Sequence, residues 1–366
     1  MEVGSDRQFD FLREWQHTLW SAGYLGMAWP AEYGGGGGSS DLQKVVDEEL
    51  AMYRAPIALN AVGLNWAGPL IKDFGSHEQK AKYLKGILSA EDIWCQGFSE
   101  PDHGSDLGNI QCRAVRDGDA YVVNGTKTWT TLGSYAKYII LLARTDPDAS
   151  RKYGGLSFFL APMTIDGVDP RPIRKLTGEH GFCETFFTNA RVPVDCLMGE
   201  EGGGWRVAMQ TLMYERGAEG GAAGGQITTV LGVDGVVDSL RNVKRDGQPI
   251  LSDPVIRDHL VGFFIRMRAC DLLDIRARIP ALTSDYPSSL PLSRKLIGTE
   301  YIRALRKFTI QCHGARGGLY VGDEAAVDKG FWQRSYLNSF SATIGGGTSQ
   351  IQANIIGERV LGLPKD

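Results

Sequence analysis

The sequence predicts an α+β protein of several domains: a helical N-terminal domain over residues 1–92, a middle antiparallel β domain over 93–205 and a C-terminal four-helix bundle over 206–366. Three observations carry this. Apolar residues recur at helical spacing before residue 92 and again after 206. Between them, β-branched and aromatic runs are divided by Asp117-Gly118 and Asn124-Gly125, dipeptides that favour tight hairpin turns. The length of 366 residues suffices for two or three buried cores.

In chain order, Phe11, Trp15 and Leu19 make a first helical stripe that Leu12 and Trp20 widen. Ser76 with Gln79 forms a capping-box pattern ahead of Tyr83, Leu84, Ile87 and Leu88. The intervening AWPAEYGGGGGSS reads as a loop whose glycines mark turns or close approach. From Trp94 onward the chain is small and polar, broken by Pro101 and Gly104, a composition suited to a loop that holds a ligand near its backbone. Strand-like runs follow: AYVV, TKTWTT, KYIILLART and GGLSFFLAP. Cys183, Thr185 and Phe187 alternate with Glu184, Phe186 and Thr188 as in an amphipathic strand, with Glu184 solvated. Past residue 206, Ile256, Leu260, Phe263, Phe264 and Met267 form one helical stripe, ended by Pro280. Ile297, Tyr301, Ala304, Leu305, Phe308 and Cys312 form another, ended by Gly314. Such helices suggest a bundle.

Composition excludes several classes. The hydrophobic fraction of 43%, charged fraction of 22% and net charge of -4 are those of an ordinary globular protein without a nucleic-acid or anionic-membrane partner. No apolar run is long enough to span a bilayer, and neither a secretory leader nor a C-terminal peroxisomal signal is visible, so a cytoplasmic location is expected. The six cysteines form no CxxC pair, so no metal site is expected, and they read as reduced core residues.

The string FSEPDHGSD, followed by NGTKTWTT, resembles the signature of the acyl-CoA dehydrogenase family of flavoenzymes. WPAEYGG, KLTGEHGFCETFFTNARVPVDCLMG, QCHGARGG and GGTSQIQANIIGERVLGLP extend the resemblance over nearly the whole chain, although the N-terminus looks short by one helix. The resemblance implies FAD as cofactor. Phe98 and Ser99 would lie against the flavin, with Ser99 donating to it. Trp129 and Thr131 would pack beside the ring and bond it, and Gly104 and Ser105 would lie near the flavin and the pantetheine arm of the substrate. Gln311 and Gly314 match residues that touch a neighbouring subunit's FAD, whereas Thr348 and Ser349 match residues near the chain's own. Donors at flavin N5 and O4 stabilise the charge that arrives with a hydride, and an aromatic wall excludes water.

Desaturating a thioester between Cα and Cβ needs a base for the α-proton and a donor for the carbonyl. Many members carry the base in a Y-E-G-T motif, where this chain has Gly345-Gly346-Gly347-Thr348. The isovaleryl and long-chain types carry it before an Arg on a helix, here Glu215 and Arg216. Glu215 is therefore the expected base, with Glu219 as fallback. Arg216 would contact substrate or orient a carboxylate, and the backbone N–H of Gly346 would hold the thioester oxygen. A surface Glu paired with a neighbouring cation, worth ~0.5 kcal/mol, is the alternative reading of Glu215. The glycines at 217, 220, 221, 224 and 225 suit either close helix packing or room for a bulky acyl group.

The family's diphosphate-binding Arg has no clear match, Arg245 being nearest, and Ala315 replaces a family Gly. His103 stands where dehydrogenases have a small residue and oxidases often have His. The expected activity is dehydrogenation of a bulky, branched or long acyl-CoA, with electrons passed to an electron-transferring flavoprotein. The expected assembly is a homotetramer, with a two-plus-two heterotetramer as the alternative. An oxidase or monooxygenase on the same fold, and a partner subunit without a complete site, are the rival readings.

Overall fold

The computed structural model describes the chain apart from residues 1, 2, 4, 54, 151, 152, 216–231, 278, 284–288 and 366. The chain divides into two compact units, residues 1–226 and 227–366. The first joins helices to a β-sheet and the second is helical.

Helix α1 (Asp6–Ser21) starts where the Ser5 hydroxyl accepts from the Gln8 N–H. Its inner face is Leu12, Gln16 and Leu19, while Phe11 from the expected stripe is 55% exposed. The buried Gln16 is satisfied by backbone, donating to the Ile87 and Leu88 carbonyls and accepting from the Asn60 N–H. The glycine loop folds back on itself after residue 26. A Cβ at Gly35 would stand 2.3 Å from the Trp29 carbonyl oxygen, so only glycine fits there. Helices α2 (Ser40–Met52), α3 (Gly68–Phe74) and α4 (His77–Ser89) follow, and α4 opens on the Ser76–Gln79 capping box read from the sequence.

The sheet has seven strands: β1 (Trp94–Gly97), β2 (Arg113–Asp117), β3 (Ala120–Thr131), β4 (Tyr138–Arg144), β5 (Leu156–Pro162), β6 (Val168–Ile173) and β7 (Phe182–Pro193). β3 lies antiparallel between β2 and β7, β6 flanks β7, and β5 pairs antiparallel with β4. The sheet departs from a wholly antiparallel one at β4, which runs parallel to β1. β4 is covered on both faces. Ile140 and Leu142 join a core with Trp94, Phe158 and the helices, whereas Ile139 and Leu141 pack with Tyr121, Phe159 and Phe187, hence its unbroken apolar run. Gly118, at φ +61, makes the expected β2–β3 turn. Asn124-Gly125 does not turn the chain; it lies within β3 as a bulge opposite Asn189. There the Asn124 side chain accepts from the Asn189 N–H and donates to its Oδ1, so the amide serves the ladder instead of a turn. Helix α5 (Gly204–Glu215) completes this unit, its first residue against the Ser157 backbone.

The second unit begins with α6 (Val233–Leu240) and a small hairpin, β8 (Lys244–Arg245) with β9 (Gln248–Pro249), turned by Asp246 and Gly247 at φ +52 and +79. Helices α7 (Pro254–Ala277) and α8 (Ser289–Cys312) run antiparallel, since His259 meets Phe308 at one end and Asp274 pairs with Arg294 at the other. Helices α9 (Phe331–Ala342) and α10 (Ser349–Ile355) both pack on α8. The core is Val236, Leu240, Ile250, Ile256, Leu260, Leu305 and Trp332. Phe264 and Ile297, expected on inner faces, are 47% and 43% exposed.

Candidate active site

The loop from Phe98 and the end of β3 form one construction. Phe98 is buried edge-on to Phe158, and the Ser99 carbonyl accepts from the Thr128 N–H at 2.9 Å. Glu100 turns inward, 6% exposed, and accepts from the Gln111 N–H at 2.6 Å and the Cys112 N–H at 2.8 Å. The Lys127 ammonium, wholly buried, donates to Glu100 Oε1 at 2.8 Å and to the Phe98 carbonyl at 3.0 Å. Burial pushes the Cys112 thiol up to about 11, so it stays protonated beside this pair. On the far side of the loop, the Arg144 guanidinium donates to the Gly108 and Ile110 carbonyls.

Between Lys127 and Thr130, β3 carries an extra residue relative to β7. Thr130 is tied inward, to the Cys183 carbonyl and the Thr185 hydroxyl, both at 2.8 Å. Trp129 is thereby thrown outward at φ +61, the residue 56% exposed and its ring edge-on to Phe182. An indole held in the left-handed region and turned to solvent is strain of the kind found at ligand sites. Thr131 and Ser99 are half-buried, and neither hydroxyl is bonded among the described residues. Gly104 and Ser105 are exposed at the loop tip, and a Cβ on Gly104 would meet nothing within 4 Å. His103 and Glu100 exchange backbone hydrogen bonds, and the His103 Nδ1 is buried without a partner among the described residues. The structure thus brings Phe98, Ser99, Trp129 and Thr131 together on one frame. Sequence reasoning missed the Glu100–Lys127 pair on which that frame hangs, although both residues lie inside the motif strings FSEPDHGSD and NGTKTWTT.

Glu215 is the last residue of α5 and half-buried. The preceding turn is fixed by the Tyr214 hydroxyl, which donates to Asp73, and by Arg206 over the Phe74 ring at 5.4 Å. Burial first, then Asp73, raises the Tyr214 phenol to about 12, so it remains a donor. Arg216, Glu219 and the glycines at 217, 220, 221, 224 and 225 lie outside the described residues.

In the second unit, Gly346 and Gly347 sit at φ +66 and +90 between α9 and α10. A side chain at 346 would bear the left-handed cost of about 1–2 kcal/mol, a physical reason for the glycine at that position. The Gly346 carbonyl accepts from Gln352 at 2.9 Å, and the Gly347 carbonyl accepts from Lys295. Thr348 is the N-cap of α10, accepting from the Ile351 N–H, and the Ser349 hydroxyl donates to Glu300 at 2.7 Å. Gln311 is exposed near the end of α8, and Gly314, at φ +59, is exposed just beyond it. Arg245 is exposed on β8.

This is the architecture and loop chemistry of a flavin-dependent dehydrogenase of thioesters, and known proteins match it over most of the chain. Models of the acyl-CoA dehydrogenase N-terminal, middle and C-terminal domains match residues 2–91, 95–190 and 202–361. The chain belongs to the acyl-CoA dehydrogenase family. It is 36% identical to the acyl-CoA dehydrogenase IpdE1 of Mycolicibacterium smegmatis over 98% of this chain and 90% of that one. Among solved structures, the Tcur3481-Tcur3483 steroid ACAD is similar with a TM-score of 0.83 and 31% identity, covering 100% of this chain and 91% of that one. The ChsE4-ChsE5 complex from Mycobacterium tuberculosis is similar with a TM-score of 0.81 and 29% identity, over 97% and 90%.

The protein is therefore an FAD-dependent oxidoreductase acting on CH–CH bonds of acyl-CoA substrates. Its residues fit the cofactor: two hydroxyls without a partner among the described residues, an outward indole and an open glycine loop stand on one frame. Among the described residues no helix is long and apolar enough to cross a membrane.

Proposed function

We propose that the chain dehydrogenates a bulky, steroid-type acyl-CoA, with Glu215 as the base for the α-proton and an electron-transferring flavoprotein as electron acceptor. The observation that carries the site is Trp129, outward at φ +61 beside the Ser99 loop. Ser99 and Thr131 bind the flavin through hydroxyls that have no partner among the described residues, and Trp129 shields it from water. Bound FAD supplies the acceptor for the hydride that leaves Cβ. Glu215 takes the proton from Cα, and the sequence resemblance gives the Gly346 N–H the task of polarising the thioester carbonyl. Gly104 and Ser105 leave space at the loop tip for the pantetheine arm. The bulky acyl group is supported by the glycine run after Glu215 and by the likeness to a solved steroid ACAD.

The second unit supports association. On α7, Val261, Phe264, Ile265, Leu272 and Ile275 are 47–62% exposed on a flank beside its buried face, an apolar stripe suited to a subunit contact. A homotetramer is the simplest assembly. The two-plus-two heterotetramer is favoured by the two-component names of both solved structures and by the absence of a carboxylate at Gly346.

An absorbance spectrum of the chain purified alone decides between them. Flavin bands near one FAD per chain, bleached by a steroid-chain acyl-CoA faster than by a short straight-chain one, support the reading. A protein that stays colourless with added FAD requires a partner, and peroxide release without an acceptor indicates an oxidase. Glu215→Gln keeps the shape and removes the base, so turnover should fall by about 10²–10⁴-fold with FAD retained. A loss under tenfold removes Glu215 from the chemistry.

A further inference from the structure

We propose that Lys127 is a positioning residue for the flavin: through Glu100 and the Phe98 carbonyl it sets the Ser99 loop and the Trp129 bulge as one rigid unit. The inference rests on the reading that Ser99, Trp129 and Thr131 hold FAD.

The geometry is specific to that stretch. The Lys127 ammonium bonds the residues on either side of Ser99, the Phe98 carbonyl at 3.0 Å and Glu100 Oε1 at 2.8 Å. The next residue, Thr128, donates its N–H to the Ser99 carbonyl at 2.9 Å. Ser99 is thus bracketed by residues 127 and 128, and Trp129 follows at once in its left-handed conformation. Thr130 closes the bulge from the other side through Cys183 and Thr185. Glu100 carries the same restraint onward to the Gln111 and Cys112 N–H groups. A displacement of Lys127 therefore moves the hydroxyl at 99 and the indole at 129 together.

Stability alone does not call for a charge pair here, because replacing both partners of a buried pair by apolar side chains of similar volume is often neutral or stabilising. An apolar residue donates nothing to the Phe98 carbonyl, so what the ammonium adds is registry. Both side chains are buried, at 0% and 6% exposure, and solvent does not loosen the pair.

The test compares FAD dissociation constants, flavin absorbance and midpoint potential, and thermal unfolding of the FAD-free protein. The variants are Lys127→Met, the charge-free pair Glu100→Gln with Lys127→Met, and Ser99→Ala and Thr131→Val as direct contacts. Lys127→Met leaves Glu100 buried without its cation. If it does not fold, the charge-free double variant, which buries no unpaired charge, decides. The expected result is at least tenfold weaker FAD binding in the double variant, a bound-flavin spectrum displaced toward that of free FAD and a shifted potential. FAD affinity within twofold of the parent, with an unchanged spectrum and potential, overturns the proposal even if the unfolding temperature falls. If Ser99→Ala and Thr131→Val weaken FAD while the Lys127 variants do not, the positioning role alone fails. If none of the four alters it, the site assignment fails with it.

Discussion

Replacing Gly125 by Ala tests how the site frame is built, because this glycine lies where β3 passes closest to the segment that Glu100 holds. Its φ is +147, outside the range an L side chain adopts comfortably, and the strain should cost about 1–3 kcal/mol. The added Cβ would stand 2.7 Å from Cys112 Cα, 2.8 Å from its Cβ and 2.9 Å from its Sγ. Carbon contacts relax near about 3.5 Å, so the Cys112 backbone must retreat by about 0.8 Å. It is tied on both sides: its N–H donates to Glu100 Oε1 at 2.8 Å and its carbonyl accepts from the Arg144 N–H at 2.7 Å. Overpacking of a fixed backbone costs about 1–3 kcal/mol, and the stiffer unfolded chain offsets about 0.4–1 of it. The net is a destabilisation of about 3 kcal/mol, or about 6–12 °C in unfolding temperature. The control is Gly118→Ala, at φ +61 with nothing within 4 Å of the new Cβ, which bears only the left-handed cost of about 1–2 kcal/mol. Thermal unfolding monitored by circular dichroism, with FAD titrated in parallel, measures both. A Gly125→Ala protein within 2 °C of its parent, taken as about 1 kcal/mol or less, or no worse than Gly118→Ala, refutes the packing argument.

Two further expectations follow from the same structure. Gly104→Ala meets open space, so unfolding of the FAD-free protein should be unchanged within about 0.5 kcal/mol while FAD or acyl-CoA affinity falls about tenfold; unchanged titrations would take the ligand away from the loop tip. His313 is buried, and that burial lowers its pKa below the ordinary 6.5, reinforced by Arg316 and opposed by Asp328. As pH falls through 6.5 the unfolded chain takes up the proton first. Stability is therefore lost below that value and rises with pH until it is passed. Unfolding temperatures between about pH 5.5 and 7.5 should depend less on pH in His313→Gln, and parallel slopes would contradict this.

The readings that succeeded rest on local physics. The Ser76–Gln79 capping box, the Gly118 turn, the alternation of β7 and the Gly314 helix stop each depend on a few adjacent residues, and each forms as expected. The failures share a different cause. Gln16 replaced Phe11 on the inner face of α1 because three buried backbone groups, at residues 60, 87 and 88, required a partner. A hydrophobicity stripe contains no term for that demand. Asn124-Gly125 and Asp246-Gly247 carry equivalent turn chemistry, yet only the second turns the chain. In β3 the pairing with β7 continues past the dipeptide and absorbs it as a bulge.

The same division runs through the site. Ser99, Trp129 and Thr131 stand in contiguous strings of the sequence, and the structure brings those strings together through the Thr128 N–H and the Ser99 carbonyl. Glu100 and Lys127 stood in those strings too, but their meaning lies in a contact across 27 positions of sequence. No spacing rule reports such a contact. Thr348 and Ser349 show the converse: hydroxyls assigned to FAD are engaged as an N-cap and as a donor to Glu300. The Thr348 oxygen accepts there and so keeps its proton for another acceptor, whereas Ser349 gives its proton to a carboxylate and retains only lone pairs. Of the two, Thr348 is thus the one still able to donate to an anionic cofactor, a distinction that residue type alone does not draw.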